Sequence, residues 1–199
     1  MLKNKIVYNV FFCLTLLLPY IGLGYVVHWY KNKVKRIEKS AVVIVDKEKM
    51  TLSVIDYNGV EEACFMMACG KNYGNKQEKG DMKTPEGVFH VDDIQDASSW
   101  THDFNDGKGE VSGAYGPCFI RLDVPGHSGI GIHGTHLPKS IGTRTTEGCI
   151  RLKNEDVLKL KQMVYIGMPV IITPSYNDAA AMLSEERNDD VRLLGYRNE

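Results

Sequence analysis

The segment Gly131–Leu152 reads Gly-Ile-His-Gly-Thr-His-Leu-Pro-Lys-Ser-Ile-Gly-Thr-Arg-Thr-Thr-Glu-Gly-Cys-Ile-Arg-Leu, with His133 sixteen residues before Cys149. A histidine titrates near neutrality, and thiolate is the strongest common protein nucleophile. The pair suffices for acyl transfer wherever the fold brings it together. Glycines at 131, 134, 142 and 148 permit tight backbone approach where a reacting carbonyl would sit. The N–H groups of Gly148 and Cys149 are candidate oxyanion donors. Arg151, two residues past the cysteine, falls on the same side of an extended chain and can grip a carboxylate in bidentate fashion or brace the loop. The plainer alternative is a buried histidine and an inert structural cysteine. It leaves the Gly-Cys-Ile-Arg neighbourhood unexplained.

These residues need a scaffold, and 199 residues hold one core-bearing domain plus appendages. The net charge is −1, and no basic stripe interleaved with aromatics appears, which argues against a nucleic-acid partner. Five cysteines stand at 13, 64, 69, 118 and 149 without CxxC or zinc-ribbon spacing. Cys64 and Cys69 share one extended run and cannot bond each other; the set reads mainly as free thiols, with a longer bridge from Cys118 left open. His136 forms His-x-x-His with His133, but zinc would need a fourth ligand and would occupy the nucleophile. No metal or cofactor is expected.

Residues 1–30 form the first region. Lys3 and Lys5 precede an uncharged stretch, Ile6–Tyr30, long enough to span a bilayer. A membrane anchor is expected ahead of a cleaved signal, although the following Lys31, Lys33, Lys35 and Arg36 leave orientation open. Residues 31–40 are a polar linker. From Ala41 the pattern is short β-branched runs: Ala41–Asp46, Met50–Asp56 and Val60–Cys69, with Asn58-Gly59 as a hairpin turn. Val88–Ile94, Cys118–Asp123, Gly129–His133 and Pro169–Thr173 supply further strands. The long polar segment 96–116, with Trp100, His102, Phe104 and Tyr115, reads as a lid or substrate wall. Its Asp103–Glu110 run fails the spacing of a calcium loop. One helix follows Cys149, with Asn154 as N-cap and Val157, Leu158, Leu160 and Val164 on its apolar face. The expectation is a mainly β domain over 41–174 with one principal helix, then a charged tail, 175–199, that carries no recognisable chemistry.

His133-Gly-Thr, Ser140-Ile-Gly142 and Thr146-Glu-Gly-Cys149-Ile-Arg151, with Thr84-Pro-Glu-Gly-Val-Phe89 upstream, resemble the signature of the YkuD-type L,D-transpeptidases. The likeness covers roughly Ala41–Pro174. It implies a β-sandwich-like catalytic domain acting on peptidoglycan stem peptides. There a cysteine attacks the third stem residue's carbonyl, D-alanine leaves, and an amine accepts the acyl group. Relatives that hand the acyl group to water are L,D-carboxypeptidases; a catalytically silent wall-binding module is the rival from another class. The resemblance makes Cys149 the nucleophile and His133 the base, matches Gly134 to the carbonyl that orients the imidazole, and puts Thr146 at a turn-bracing Ser/Thr position. An ion pair with His133 would lower the Cys149 pKa. Glu147 stands where relatives commonly carry His or Lys; a carboxylate there disfavours thiolate unless Arg144 or Arg151 neutralises it, and it bears on acceptor specificity more than on catalysis. The expected setting is the bacterial cell envelope.

Overall fold

The computed structural model describes residues 22–31, 41–104 and 107–193, with side chains through residue 187. The chain divides into two units, Met1–Ser40 and Ala41–Glu199. In the first, residues 22–31 form helix α1, which exposes Tyr25, Val26 and Trp29. Among the described residues no helix is long and apolar enough to cross a membrane. The rest of the expected anchor, residues 1–21, and most of the linker, 32–40, lie outside them.

The second unit is mainly β. Its strands are β1 (Ala41–Asp46), β2 (Thr51–Asp56), β3 (Glu61–Met66), β4 (Cys69–Gly70), β5 (Gly87–Asp96), β6 (Thr101–Asp103), β7 (Glu110–Ser112), β8 (Cys118–Leu122), β9 (Gly131–His133), β10 (Arg144–Thr146), β11 (Ile150–Arg151) and β12 (Pro169–Thr173). Helix α2 spans Asn154–Met163 and α3 spans Tyr176–Leu193. Eight strands form one mixed sheet in the order β11-β9-β8-β5-β12-β1-β2-β3. Strand β5 serves both halves: Gly87–His90 pairs with β12, and Val91–Asp96 pairs with β8. A register shift between Val91 and Asp93 bends it, and the sheet curls there.

Alternation along the strands sends Val43, Val45, Leu52, Val54, Ile120, Ile132, Ile150, Val170 and Ile172 into one core, closed by Val157 and Leu160 of α2. Burying each such side chain contributes about 1.5–3 kcal/mol. Leu158, expected on the apolar face, is exposed. The four described cysteines, 64, 69, 118 and 149, are free thiols.

Two regions depart from expectation. The lid segment is a β-hairpin, not an open loop: β6 pairs with β7 through Thr101↔Ser112, His102↔Val111 and Asp103↔Glu110. The stretch from Ser175 is more than an appended tail. Asp178, at 0% exposure, accepts the N–H groups of Gly74 and Ser175, each at 2.8 Å, and ion-pairs with Lys47 and Arg144. Lys47 is likewise buried and pairs with Glu86. Charges withdrawn from water need opposite partners, so the first turn of α3 is part of the domain's interior. With α3 present, α2 is not the single principal helix.

Candidate active site

Strand β11 lies parallel to β9 at the sheet edge, with Ile150 opposite Ile132 and Arg151 opposite His133. Ile132 and Ile150 enter the core. The period of two therefore sends His133, Cys149 and Arg151 to the other face together. That face opens into a cleft of about 700 Å³ lined by His133, Cys149, Arg151, Thr146, Glu147 and Tyr115. The loop Lys76–Gly80 and His102 and Phe104 of the hairpin form its walls.

His133 is 3% exposed. Its ring stacks on Phe119, its neighbour on β8, with centroids 5.7 Å apart and planes at 8°, and it meets Tyr115 edge-on at 5.0 Å. Nδ1 lies 2.7 Å from the Gly134 carbonyl oxygen. A carbonyl only accepts, so Nδ1 carries the proton and Nε2 keeps the lone pair. The acceptor for Nδ1 is therefore the backbone carbonyl of Gly134. Asn154 holds that acceptor in turn. Its Oδ1 takes the Thr135 N–H at 2.7 Å, and it lies so close that a Cβ on Gly134 would fall 2.3 Å from it. Asn154 is consequently not the N-cap. Lys153 occupies that position without a side-chain cap, and the Asn154 carboxamide is spent on the histidine loop.

The turn Glu147-Gly148-Cys149 joins β10 to β11. Thr146 Oγ1 donates to the Cys149 carbonyl at 2.6 Å and accepts the Gly148 N–H at 3.2 Å. Gly148 has φ +134°, and a Cβ there would lie 2.8 Å from the Lys83 carbonyl, so glycine is required twice over. The expected Gly148 N–H oxyanion donor is therefore committed inward. Behind the turn, the buried Thr84 Oγ1 accepts the Gly70 N–H at 2.8 Å and donates to the Gly148 carbonyl at 2.9 Å. Thr84 was legible as part of a motif, but its role was not.

The Cys149 thiol donates to the Gly129 carbonyl at 3.3 Å. Burial, opposed by a hydrogen bond to Gly131 and the Arg151 charge, pushes its pKa up to about 11. Burial also lowers His133 to about 3. Burial thus favours the neutral form of both groups and works against the expected thiolate–imidazolium pair. Arg151 is buried, donates to Ser140 Oγ at 3.0 Å, and leaves Nε without a partner. Neither Arg144 nor Arg151 forms an ion pair with Glu147, although the Arg151 and Glu147 charges act on each other. Arg144 turns away to Asp178, and Glu147 Oε2 meets His102 Nε2 at 3.1 Å. His136 packs against Phe104 at 5.5 Å. Among the described residues, no three His, Cys, Asp or Glu side chains converge on a metal position.

The family model for the L,D-transpeptidase catalytic domain, YkuD, matches residues 40–172. The chain belongs to this family. Within the YkuD family it is 35% identical over 133 residues to YqjB of Bacillus subtilis (strain 168), which carries a provisional L,D-transpeptidase name; the match covers 66% of this chain and 70% of YqjB. The crystal structure of the helical cell shape determining protein Pgp2 from Campylobacter jejuni superposes with a TM-score of 0.52 at 25% identity, covering 68% of this chain and 48% of that one. The chain thus spans about half of Pgp2. The catalytic domain of the E. faecium L,D-transpeptidase, at 21% identity and a TM-score of 0.50, is covered over 98% of its length by 68% of this chain, and shares the fold. The YkuD domain described here is a cysteine-dependent peptidoglycan L,D-transpeptidase domain.

Proposed function

We propose that Cys149 cleaves the L,D bond between the third stem residue and D-alanine of a tetrapeptide stem, and that the acyl group then passes to an amine. The observation that carries this reading is the β9–β11 register. It sets Cys149, His133 and Arg151 on one face of an open cleft, and the bond from His133 Nδ1 to the Gly134 carbonyl supports Nε2 as the base.

The thiol leaves the Gly129 carbonyl as substrate enters, Nε2 takes its proton, and sulfur attacks the stem carbonyl. The C–N bond to D-alanine breaks as His133 returns the proton to the departing amine. In the second half, an acceptor amine attacks the thioester, His133 takes its proton, the C–S bond breaks, and the proton restores the thiol. The buried Arg151 guanidinium offsets the charge that sulfur develops, since its field already favours the thiolate. Thr146 braces the turn so that the Cys149 N–H faces the developing oxyanion, in place of the committed Gly148 N–H. The domain limits 41–174 and the envelope setting, with residues 6–30 as membrane anchor, belong to the same proposal and are supported by the sequence pattern of that segment.

The test is incubation of the full chain with tetrapeptide muropeptides. D-Alanine release with cross-linked dimers is expected. Tripeptide without dimers assigns an L,D-carboxypeptidase, and neither product from folded protein overturns both in favour of a silent binding module.

A further inference from the structure

Glu147 stands two residues before the nucleophile, on the wall of the cleft, with its side chain 44% exposed. Lys76 is paired with Asp81 at 2.7 Å and Arg144 with Asp178, while Arg151, whose charge and that of Glu147 act on each other, donates to Ser140 rather than to the carboxylate. Glu147 is met instead by His102 of the hairpin, whose other nitrogen, Nδ1, lies 2.9 Å from the Tyr115 hydroxyl. The chain of bonds has one consistent assignment for a neutral ring: the Tyr115 O–H donates to Nδ1, and Nε2–H donates to Oε2. No cation is needed to hold the carboxylate in place, and Oε1 lies outside the bond to His102. The Glu147 charge also acts on the reaction centre, since it opposes thiolate formation at Cys149. A carboxylate that hinders the first half-reaction needs a use in the second.

We infer that the Glu147 carboxylate is the specificity-determining group for the acceptor, selecting a nucleophile that arrives as a primary ammonium. This rests on the transpeptidase reading. A side-chain amine with a lysine-like pKa of about 10.4 is cationic at neutral pH, and a partly exposed carboxylate beside the thioester raises its local concentration where water gains nothing. The bound ammonium gives up one proton to bulk water and attacks as the free amine; its second proton passes to Nε2 of His133 as the C–S bond breaks.

The test uses the full chain with a tetrapeptide donor and two acceptors at pH 7.5: a tripeptide stem with a free side-chain amine, which is cationic, and hydroxylamine, which is largely neutral. The quantity read is the ratio of their kcat/KM values for product formation. In Glu147→Gln this ratio is expected to fall about tenfold, the size of one well-placed charge contact. A fall of less than threefold overturns the inference. His102→Ala separates selection from a purely structural tie between hairpin and turn. It keeps the carboxylate, so the ratio is expected to stay within threefold of wild type; a collapse equal to that of Glu147→Gln assigns Glu147 to the tie alone. Absence of D-alanine release from the wild-type chain would instead remove the transpeptidase reading itself.

Discussion

The two halves of the active site are supported by different physics. The histidine side is held by shape: Phe119 stacks on His133, Tyr115 meets its edge, and Asn154 presses on Gly134 with no room for a side chain. The nucleophile side is held by polar bonds laid in series. Thr146 ties Gly148 to Cys149, Thr84 holds the Gly148 carbonyl from behind, and Arg144 at the start of β10 anchors to the buried Asp178. A general base needs its ring plane and tautomer fixed, which aromatic walls and one carbonyl supply. A nucleophile that also provides an oxyanion donor needs its backbone fixed, and only hydrogen bonds orient a peptide group closely.

The largest effect tests whether the halves act as one unit. Cys149→Ala and His133→Ala are each expected to cut D-alanine release by at least about 10⁴-fold, and the double variant no further, because residues that share one step are not additive. Additive losses in a release assay would mean that each half contributes alone. Next in size is the buried charge cluster behind the nucleophile. Asp178→Ala strips Arg144 of its carboxylate and leaves Lys47 with Glu86 alone, at a cost of about 3–5 kcal/mol in urea unfolding. An unchanged midpoint would show that α3 does not staple this side.

The two halves also differ in how pH acts on stability. His133 has its pKa lowered to about 3, whereas an unfolded histidine titrates near 6.5. Between those values the unfolded chain binds more protons, so stability is full above pH 6.5 and falls as pH drops toward 3. Cys149 is pushed up to about 11, so the folded thiol keeps a proton that the unfolded one loses near 9; stability falls as pH rises from 9 to 11. His133→Gln is expected to lose about 2–3 kcal/mol less than wild type between pH 6.5 and 4, and Cys149→Ala to flatten only the alkaline limb. Denaturant midpoints across pH check both, and equal acid limbs would refute the burial of His133. A smaller effect is expected of Asn154→Ala, which strands the Thr135 N–H: about 1–3 kcal/mol of stability. Its kcat should fall with KM held, since it positions His133 through Gly134 without touching substrate.

What was legible in the sequence follows the same divide. That Cys149, His133 and Arg151 share one face was readable, because a period of two puts 149 with 151 and 131 with 133. The strand pattern foretold the β domain for the same reason. Their supports were not readable. Asn154 looked like a helix cap, since capping and reaching across to Thr135 ask for the same carboxamide. His102 looked like part of an open loop because β6 and β7 are three residues each, too short for alternation to register. Asp178 fell in a charged stretch that reads as solvated, and only the fold brings Lys47 and Arg144 to it.

Thr84 offers the finest cut between shape and polarity. Its hydroxyl accepts from the Gly70 N–H and donates to the Gly148 carbonyl, so one oxygen bridges the loop before β5 to the turn that carries Cys149. Thr84→Ser keeps that oxygen and removes only a methyl group, a loss of about 1 kcal/mol. Thr84→Val keeps the shape and orphans two buried backbone groups, at about 1–3 kcal/mol each. If the nucleophile side is held by hydrogen bonds, the serine variant retains near wild-type D-alanine release and unfolds within about 1 kcal/mol of wild type, while valine, the better match in volume, is the poorer enzyme. If packing holds it, the order reverses. A release assay paired with urea unfolding on these two variants decides the matter, because the competing accounts rank them oppositely.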